Sequence, residues 1–378
     1  MTEIHGTCTP DFEAVRTAFA ANFEQGLEQG ASVSVTHHGE TVVDLWGGLA
    51  ADDRPWEADT ICNVWSTTKT MAATVMLMLA DQGLLDLDAP VATYWPEFAA
   101  DHKEDVLVRH VLGHTAGLPG WSPAISGDTL YDWDATCANL AAQPTWWEPG
   151  SQSGYHALTQ GFLEGEIVRR VTGRSIGTYF REAVAEPLGA DFHIGLPESE
   201  EHRVATMITP GVGLGQGPGL DPESLAVRAM SSCPITGDEC NTREWRAAEI
   251  PAAGGTGNAR SVARVHAALA NGGAVDGVRI LSAAGVDRIF DEQANGVDLV
   301  LGVPMRMGTG FGLMSDLIPL SPNPRSCFWG GWGGSICVVD VDAQLSVAYV
   351  MNKMAGALIG DLRGAMVAIA AIGAATAA

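Results

Sequence analysis

The stretch VWSTTKT, residues 64–70, places Lys69 three residues after Ser66 and just ahead of the apolar run MAATVMLMLA. Lysine is scarce, with Lys103 and Lys353 the only others in 378 residues, so one set among residues that read as buried needs a reason. On a helix, positions i and i+3 share a face, which brings the Lys69 amine beside the Ser66 hydroxyl. Water-excluding neighbours such as Trp65 and Met71 lower a lysine pKa by desolvation and leave a neutral amine that can accept a proton. The helix N-terminus also points backbone N–H groups at an oxyanion formed near Ser66. That is the chemistry of a nucleophilic serine. The structural alternative is a serine that merely caps the helix and a lysine that snorkels outward. Tyr155 is the third candidate. It follows the loop EPGSQSG and precedes a helical run, a place from which a phenol can project into a cleft and act as base or proton donor. Its plain alternative is a core tyrosine with a satisfied hydroxyl.

These residues need elements to hold them. Phe12, Val15, Phe19, Phe23 and Leu27 form a helical stripe across residues 11–29. ASVSVTHHGETVVDLWGGLA predicts a hairpin turning at His38–Gly39. Residues 70–82 predict a helix apolar on nearly every face, hence buried. DVLVRHVLGHTAGLPGW reads as a helix ending in a Gly/Pro turn, and YHALTQGFLEGEIVRRVTG and SIGTYFREAVAEPLG as two more helices. Residues 207–219 are too rich in glycine for either regular structure. GTGFGLM, GSICVVDVD and QLSVAYVMN carry strand signals, and an apolar helix over 361–377 follows. No βαβ repetition appears, which disfavours a doubly wound sheet. The fold class expected is α+β: the early hairpin and late strands make one antiparallel sheet, with a mainly helical part inserted. In these terms residues 1–84 and 256–378 form a discontinuous sheet domain, residues 85–255 the helical domain, and the site lies in the cleft between them.

Composition narrows the partners. Forty-five acidic against 21 basic residues give a net charge of −24, which excludes phosphate-rich partners such as nucleic acid and disfavours anionic membrane surfaces. The acidic excess reads as a solvated shell. The N-terminus has no basic and apolar leader pattern, and the longest apolar stretches are too short to span a bilayer, so a cytoplasmic location is expected. Seven cysteines without metal-like spacing fit reduced thiols. GVGLGQGPG lacks the lysine of a phosphate loop, and His37, His38, His110 and His114 lack zinc-site spacing. Neither metal nor cofactor is expected.

The serine-lysine pair, the hairpin ending VVDLWGG, a tyrosine after a Pro-Gly loop and the late WGG together resemble the class C β-lactamase and penicillin-recognising superfamily. Within it the chain is most similar to the esterase branch, the family VIII carboxylesterases, over roughly residues 15–375. The resemblance implies a β-lactamase-like fold, a nucleophilic serine, a lysine and tyrosine acting on its proton, and an acyl-enzyme resolved by water. It carries over Ser66, Lys69 and Tyr155 as catalytic residues and the Ser66 and Trp332 N–H groups as oxyanion donors. It also implies substrate contacts at Trp329, Gly330 and Gly331, and with them Trp65 and His156. His156 itself is turned away from the face of Tyr155 and is not expected to act as a base. Two departures from the lactamases stand out: Ala157 replaces an asparagine, and Trp329 replaces a lysine that would greet a substrate carboxylate. GHTAGLPG, residues 113–120, resembles the turn bordering the family's active-site entrance and is read as support.

The expected function is therefore a serine carboxylesterase acting on short-chain esters, with a small ester and water as partners and a monomer or homodimer as the assembly. β-Lactamase, D-aminopeptidase or acyltransferase activity on the same three residues is the alternative. A non-catalytic penicillin-binding-like protein would have no need of the trio.

Overall fold

The computed structural model describes residues 2–216 and 221–377. Among the described residues nine strands of a ten-stranded sheet lie side by side: β1 (Ile4–Cys8), β2 (Gly30–His37), β3 (Glu40–Ala51), β4 (Ala294–Val297), β5 (Pro304–Met307), β6 (Gly312–Leu313), β7 (Ser326–Gly330), β8 (Ile336–Asp340) and β9 (Leu345–Met351), while the tenth, the two-residue strand Arg54–Pro55, pairs with β3. Their order is β1–β3–β2–β9–β8–β7–β6–β5–β4, and every neighbouring pair is antiparallel. The turn between β2 and β3 puts His38 and Gly39 at φ of 52° and 85°, the double positive φ that a two-residue hairpin needs.

Strand β9 is buried along its whole length, so LSVAYVM alternates between two covered faces instead of between core and water. On one face, Ser346 Oγ donates to the Ala263 carbonyl at 2.8 Å, on the helix Ala259–Ala270. On the other, the Tyr349 ring meets Phe19 edge-on at 6.1 Å, beneath the helices Glu13–Glu24 and Leu362–Ala377. The first of these helices stops at Glu24, earlier than the sequence stripe suggests. Gly26 at φ 67° turns the chain, which leaves Leu27 43% exposed.

Helices of the middle of the chain are named here as they bear on the site: α1 (Thr68–Asp81), α2 (Val108–Leu112) and α3 (Thr159–Thr172). All residues of α1 from Thr68 to Leu79 are buried, as its all-round apolar sequence requires. Its N-terminal end touches the sheet, where Thr67 Oγ1 lies 2.9 Å from Ser335 Oγ just before β8. A second, short sheet joins Cys62–Asn63, Thr256–Gly257 and Phe192–His193 next to that end. The architecture is thus an antiparallel sheet flanked by helices with an inserted helical segment. The part of 207–219 that is described, residues 207–216, forms turns and a single bridge from Ile208 to Lys353; residues 217–219 lie outside the described residues. All seven cysteines are free thiols. Among the described residues no helix is long and apolar enough to cross a membrane.

Candidate active site

Ser66 sits in the 3-10 turn Trp65–Thr67 that leads into α1, and it is buried. Trp65 immediately before it has φ of +49°, a left-handed conformation that a bulky residue adopts only under constraint from its surroundings. The constraint is visible: the Trp65 ring is wedged between Trp245 at 5.2 Å and Trp332 at 4.9 Å. Strain of this kind fixes the direction of the next side chain. Among the described residues neither the Ser66 nor the Trp332 backbone N–H has an acceptor. Both remain available to an oxyanion.

Lys69 follows one turn later, fully enclosed, with Nζ 3.2 Å from Ser66 Oγ. Two backbone carbonyls hold the amine, Ala157 at 2.7 Å and Ala252 at 2.9 Å. Burial pulls its pKa down from the ordinary lysine value to about 7, and the Glu164 carboxyl pulls in the opposite direction. The Tyr155 hydroxyl donates to Ser66 Oγ at 2.5 Å. Burial raises the phenol pKa, opposed by that hydrogen bond. The amine does not bond the Tyr155 hydroxyl; it lies over the ring, 4.8 Å from its centre.

The loop bearing Tyr155 is fastened on both sides. The Tyr155 N–H donates to Asp298 Oδ1 at 2.9 Å, an acid 143 residues away that also takes the Val300 and Leu301 N–H groups. The GHTAGLPG turn holds the other side: the Gly154 N–H donates to the His114 carbonyl and the His156 N–H to His114 Nδ1. His114 itself has φ of +58°. The turn is support, as its sequence suggests.

A narrow, nearly closed recess lies over Ser66 and Tyr155. Its walls are Trp65, Leu158, Leu214, Met230, Ile235 and Leu358, together with Ala157, Ala253 and Trp332. Among the described residues the serine and the tyrosine supply the only hydroxyls, the two tryptophans an indole N–H each, and no lining side chain is charged.

Four residues expected to touch substrate, His156, Trp329, Gly330 and Gly331, are not among the described residues that line this recess. His156 is fully buried, with its ring nitrogens 3.0 Å from the Leu118 N–H and 2.6 Å from the Gly154 carbonyl. Burial lowers its pKa to about 3, so it stays neutral. Trp329 packs behind Tyr155, ring to ring at 5.7 Å, and stacks on His114 at 5.5 Å. Gly330 and Gly331 make room for the protein's own backbone: added Cβ atoms would come within 2.4 Å of the Gly360 nitrogen and 2.3 Å of the Val64 carbonyl. Sequence reasoning missed Glu164, Asp298 and the apolar walls from residues 214–235. For Glu164 a signal existed. It falls three and four residues before Ile167 and Val168, on the apolar face of α3.

A family model described as Beta-lactamase matches residues 19–371. A crystal structure of a family VIII carboxylesterase superposes with a TM-score of 0.92 at 47% identity, covering 99% of each chain. A penicillin-binding protein homologue from Caulobacter crescentus superposes with a TM-score of 0.91 at 41% identity, covering 98% of this chain and 100% of the other. An esterase/beta-lactamase of Mycobacterium tuberculosis, LipL, is 35% identical over 385 residues, spanning 94% of this chain and 84% of that protein. Matched along almost its whole length in sequence and in fold, the chain belongs to the beta-lactamase family and is a serine hydrolase related to the family VIII esterases.

Proposed function

We propose that this hydrolase is a carboxylesterase that cleaves short, neutral esters through an acyl-enzyme on Ser66. The observation that carries the reading is the position of Ser66 Oγ, 2.5 Å from the Tyr155 hydroxyl and 3.2 Å from the Lys69 amine. A neutral amine has two N–H groups and one lone pair. With the Ala157 and Ala252 carbonyls taking the two N–H groups, the lone pair faces the serine. The Ser66 proton passes to Lys69 as Oγ attacks the ester carbonyl, and the oxyanion is received by the Ser66 and Trp332 N–H groups. Tyr155 enters as a neutral phenol, a proton donor and not a base, because burial raises its pKa while it lowers that of Lys69. The phenol protonates the departing alkoxide. Water then attacks the acyl carbon as it gives a proton to that phenolate, and Lys69 returns the first proton to Ser66 Oγ as the acid leaves.

A pH dependence follows. Lys69 works unprotonated and its pKa is about 7, so kcat/KM is expected to decline below that pH. The fall should approach about tenfold per pH unit. A pH profile for p-nitrophenyl butyrate that stays flat down to pH 5 would contradict a lysine base.

Substrate choice rests on the walls. Among the described residues the recess offers no cation to a carboxylate, and Arg306 and Arg325 are occupied by Glu292 and Asp287. An anionic β-lactam would bury a polar group unpaired, which costs about 1–3 kcal/mol and lowers kcat/KM by roughly ten- to a hundredfold. Measured side by side in one buffer, p-nitrophenyl acetate or butyrate is expected to exceed nitrocefin by that factor. Equal or better turnover of nitrocefin would move the protein to the lactamase side.

A further inference from the structure

A peptide unit is planar, so whatever holds its carbonyl also aims its N–H. The Trp332 N–H shares its unit with the Gly331 carbonyl, and that carbonyl takes two N–H groups, from Gly334 at 3.2 Å and from Gly360 at 3.1 Å. The Gly334 N–H in turn shares its unit with the Gly333 carbonyl, which accepts from the Ala355 N–H at 2.8 Å and from Arg363 Nη2. Two peptide units joined by hydrogen bonds therefore run from a guanidinium to the Trp332 N–H. The Gly360 branch ends on the same cation, because the next residue, Asp361, accepts from Arg363 Nη2 at 2.6 Å.

Arg363 stands in the first turn of the helix Leu362–Ala377 and is buried. Its Nη1 donates to Glu28 at 2.7 Å and to the Lys353 carbonyl at 2.8 Å, so both prongs of the planar fork have fixed partners. Gly334 is what admits it, since a Cβ there would run into Nη2. The plain alternative is an anchor that ties the helix to the sheet. The two carboxylates would suffice for that; the bond to the Gly333 carbonyl turns the guanidinium toward the loop that carries Trp332. Because Glu28 and Asp361 offset its charge, the cation acts through this chain of hydrogen bonds and not through a long-range field.

We propose that Arg363 is a positioning residue for the oxyanion hole, which holds and polarises the Trp332 N–H through the Gly333 and Gly331 peptide units. The proposal rests on the reading of that N–H as an oxyanion donor. A tetrahedral intermediate with a full charge on oxygen draws on the donor more than the neutral ester does, so a slackened N–H lowers kcat and leaves KM in place. Removing an oxyanion donor outright costs about 10²- to 10³-fold in kcat, and loosening one should cost about tenfold.

Two variants test this. Arg363→Lys keeps a cation beside Glu28 and Asp361, but its nitrogen falls where the central guanidinium carbon stands, short of the Gly333 carbonyl. Arg363→Met combined with Glu28→Gln removes the cation without stranding the buried Glu28 carboxylate, and is compared with Glu28→Gln alone. The probe is butylboronic acid: Ser66 Oγ bonds to boron, the serine proton passes to Lys69, and the boronate formed carries a negative charge beside the two N–H donors. Both Arg363 variants are expected to lose about tenfold in kcat for p-nitrophenyl butyrate at little change in KM, and to bind butylboronic acid more weakly by the same factor. An unchanged boronic acid affinity in Arg363→Lys or in the double variant, whatever the melting temperature, overturns the proposal and leaves Arg363 an anchor of the helix. Wild type that butylboronic acid does not inhibit, or Ser66→Ala inhibited equally well, overturns the reading of the site on which the proposal stands.

Discussion

Ser66→Ala is expected to lower kcat for p-nitrophenyl butyrate by about 10⁶-fold, to the level of a site with no nucleophile. The substitution removes one oxygen and adds nothing, so the buried turn has no new volume to accommodate. It does strip Tyr155 and Lys69 of their shared partner, leaving a phenol and an amine facing a methyl group. The two backbone N–H groups stay where they are, and the recess can still bind an ester without cleaving it. The companion measurement is mass spectrometry after an organophosphonate: wild type should carry one adduct on Ser66, and the alanine variant none. An alanine protein that still turns over the ester at more than a trace would remove Ser66 from the mechanism.

Lys69→Arg is expected to cost about 10²- to 10⁴-fold, the usual span for losing a general base. A guanidinium remains protonated throughout the pH range of a folded protein, so it cannot take the serine proton. It is also a planar fork with five N–H groups in a cage built from two carbonyls and one hydroxyl. Because a permanent charge buried here can disturb folding, Lys69→Met provides the control: it fills the channel of the lysine stem without a charge. Both variants should lose activity, and Lys69→Met should keep its near-ultraviolet circular dichroism. Full activity in either one would mean that Tyr155 alone handles the proton.

The serine-lysine pair was legible because its geometry is local. Three residues of helical spacing and an all-apolar helix are enough to place a buried amine beside a hydroxyl, and no distant part of the chain is needed. The hairpin at His38–Gly39 and the closing antiparallel strands are legible for the same reason, since turn chemistry and alternation are short-range properties. What lies beyond reach is long-range. Asp298 secures Tyr155 from 143 positions away, with nothing near either residue to announce the other. Leu214 and Ile235 lie outside helix and strand, and Met230 sits in the short helix Leu225–Ser231, with too few turns for a period to say which side chains face inward. Gly330 and Gly331 illustrate a different limit: a glycine announces that something approaches closely, and only the fold says whether it is ligand or protein. Glu164 and Glu166 look alike in GFLEGEIVRR, yet one is turned inward without a partner and the other is held by two arginines.

The strand order has a consequence for how the protein is made. Strand β9 lies between β2 and β8, so the hairpin of β2 and β3 finishes early while its central partner arrives roughly 300 residues later. At translation speeds of about 5–20 residues per second, that interval lasts ~15–60 s. Throughout it the nascent chain carries an unpaired edge in GASVSVTH, rich in β-branched residues and free of charge along most of its length. The newborn chain is thus exposed to edge-to-edge association until the C-terminal strand emerges and covers that edge.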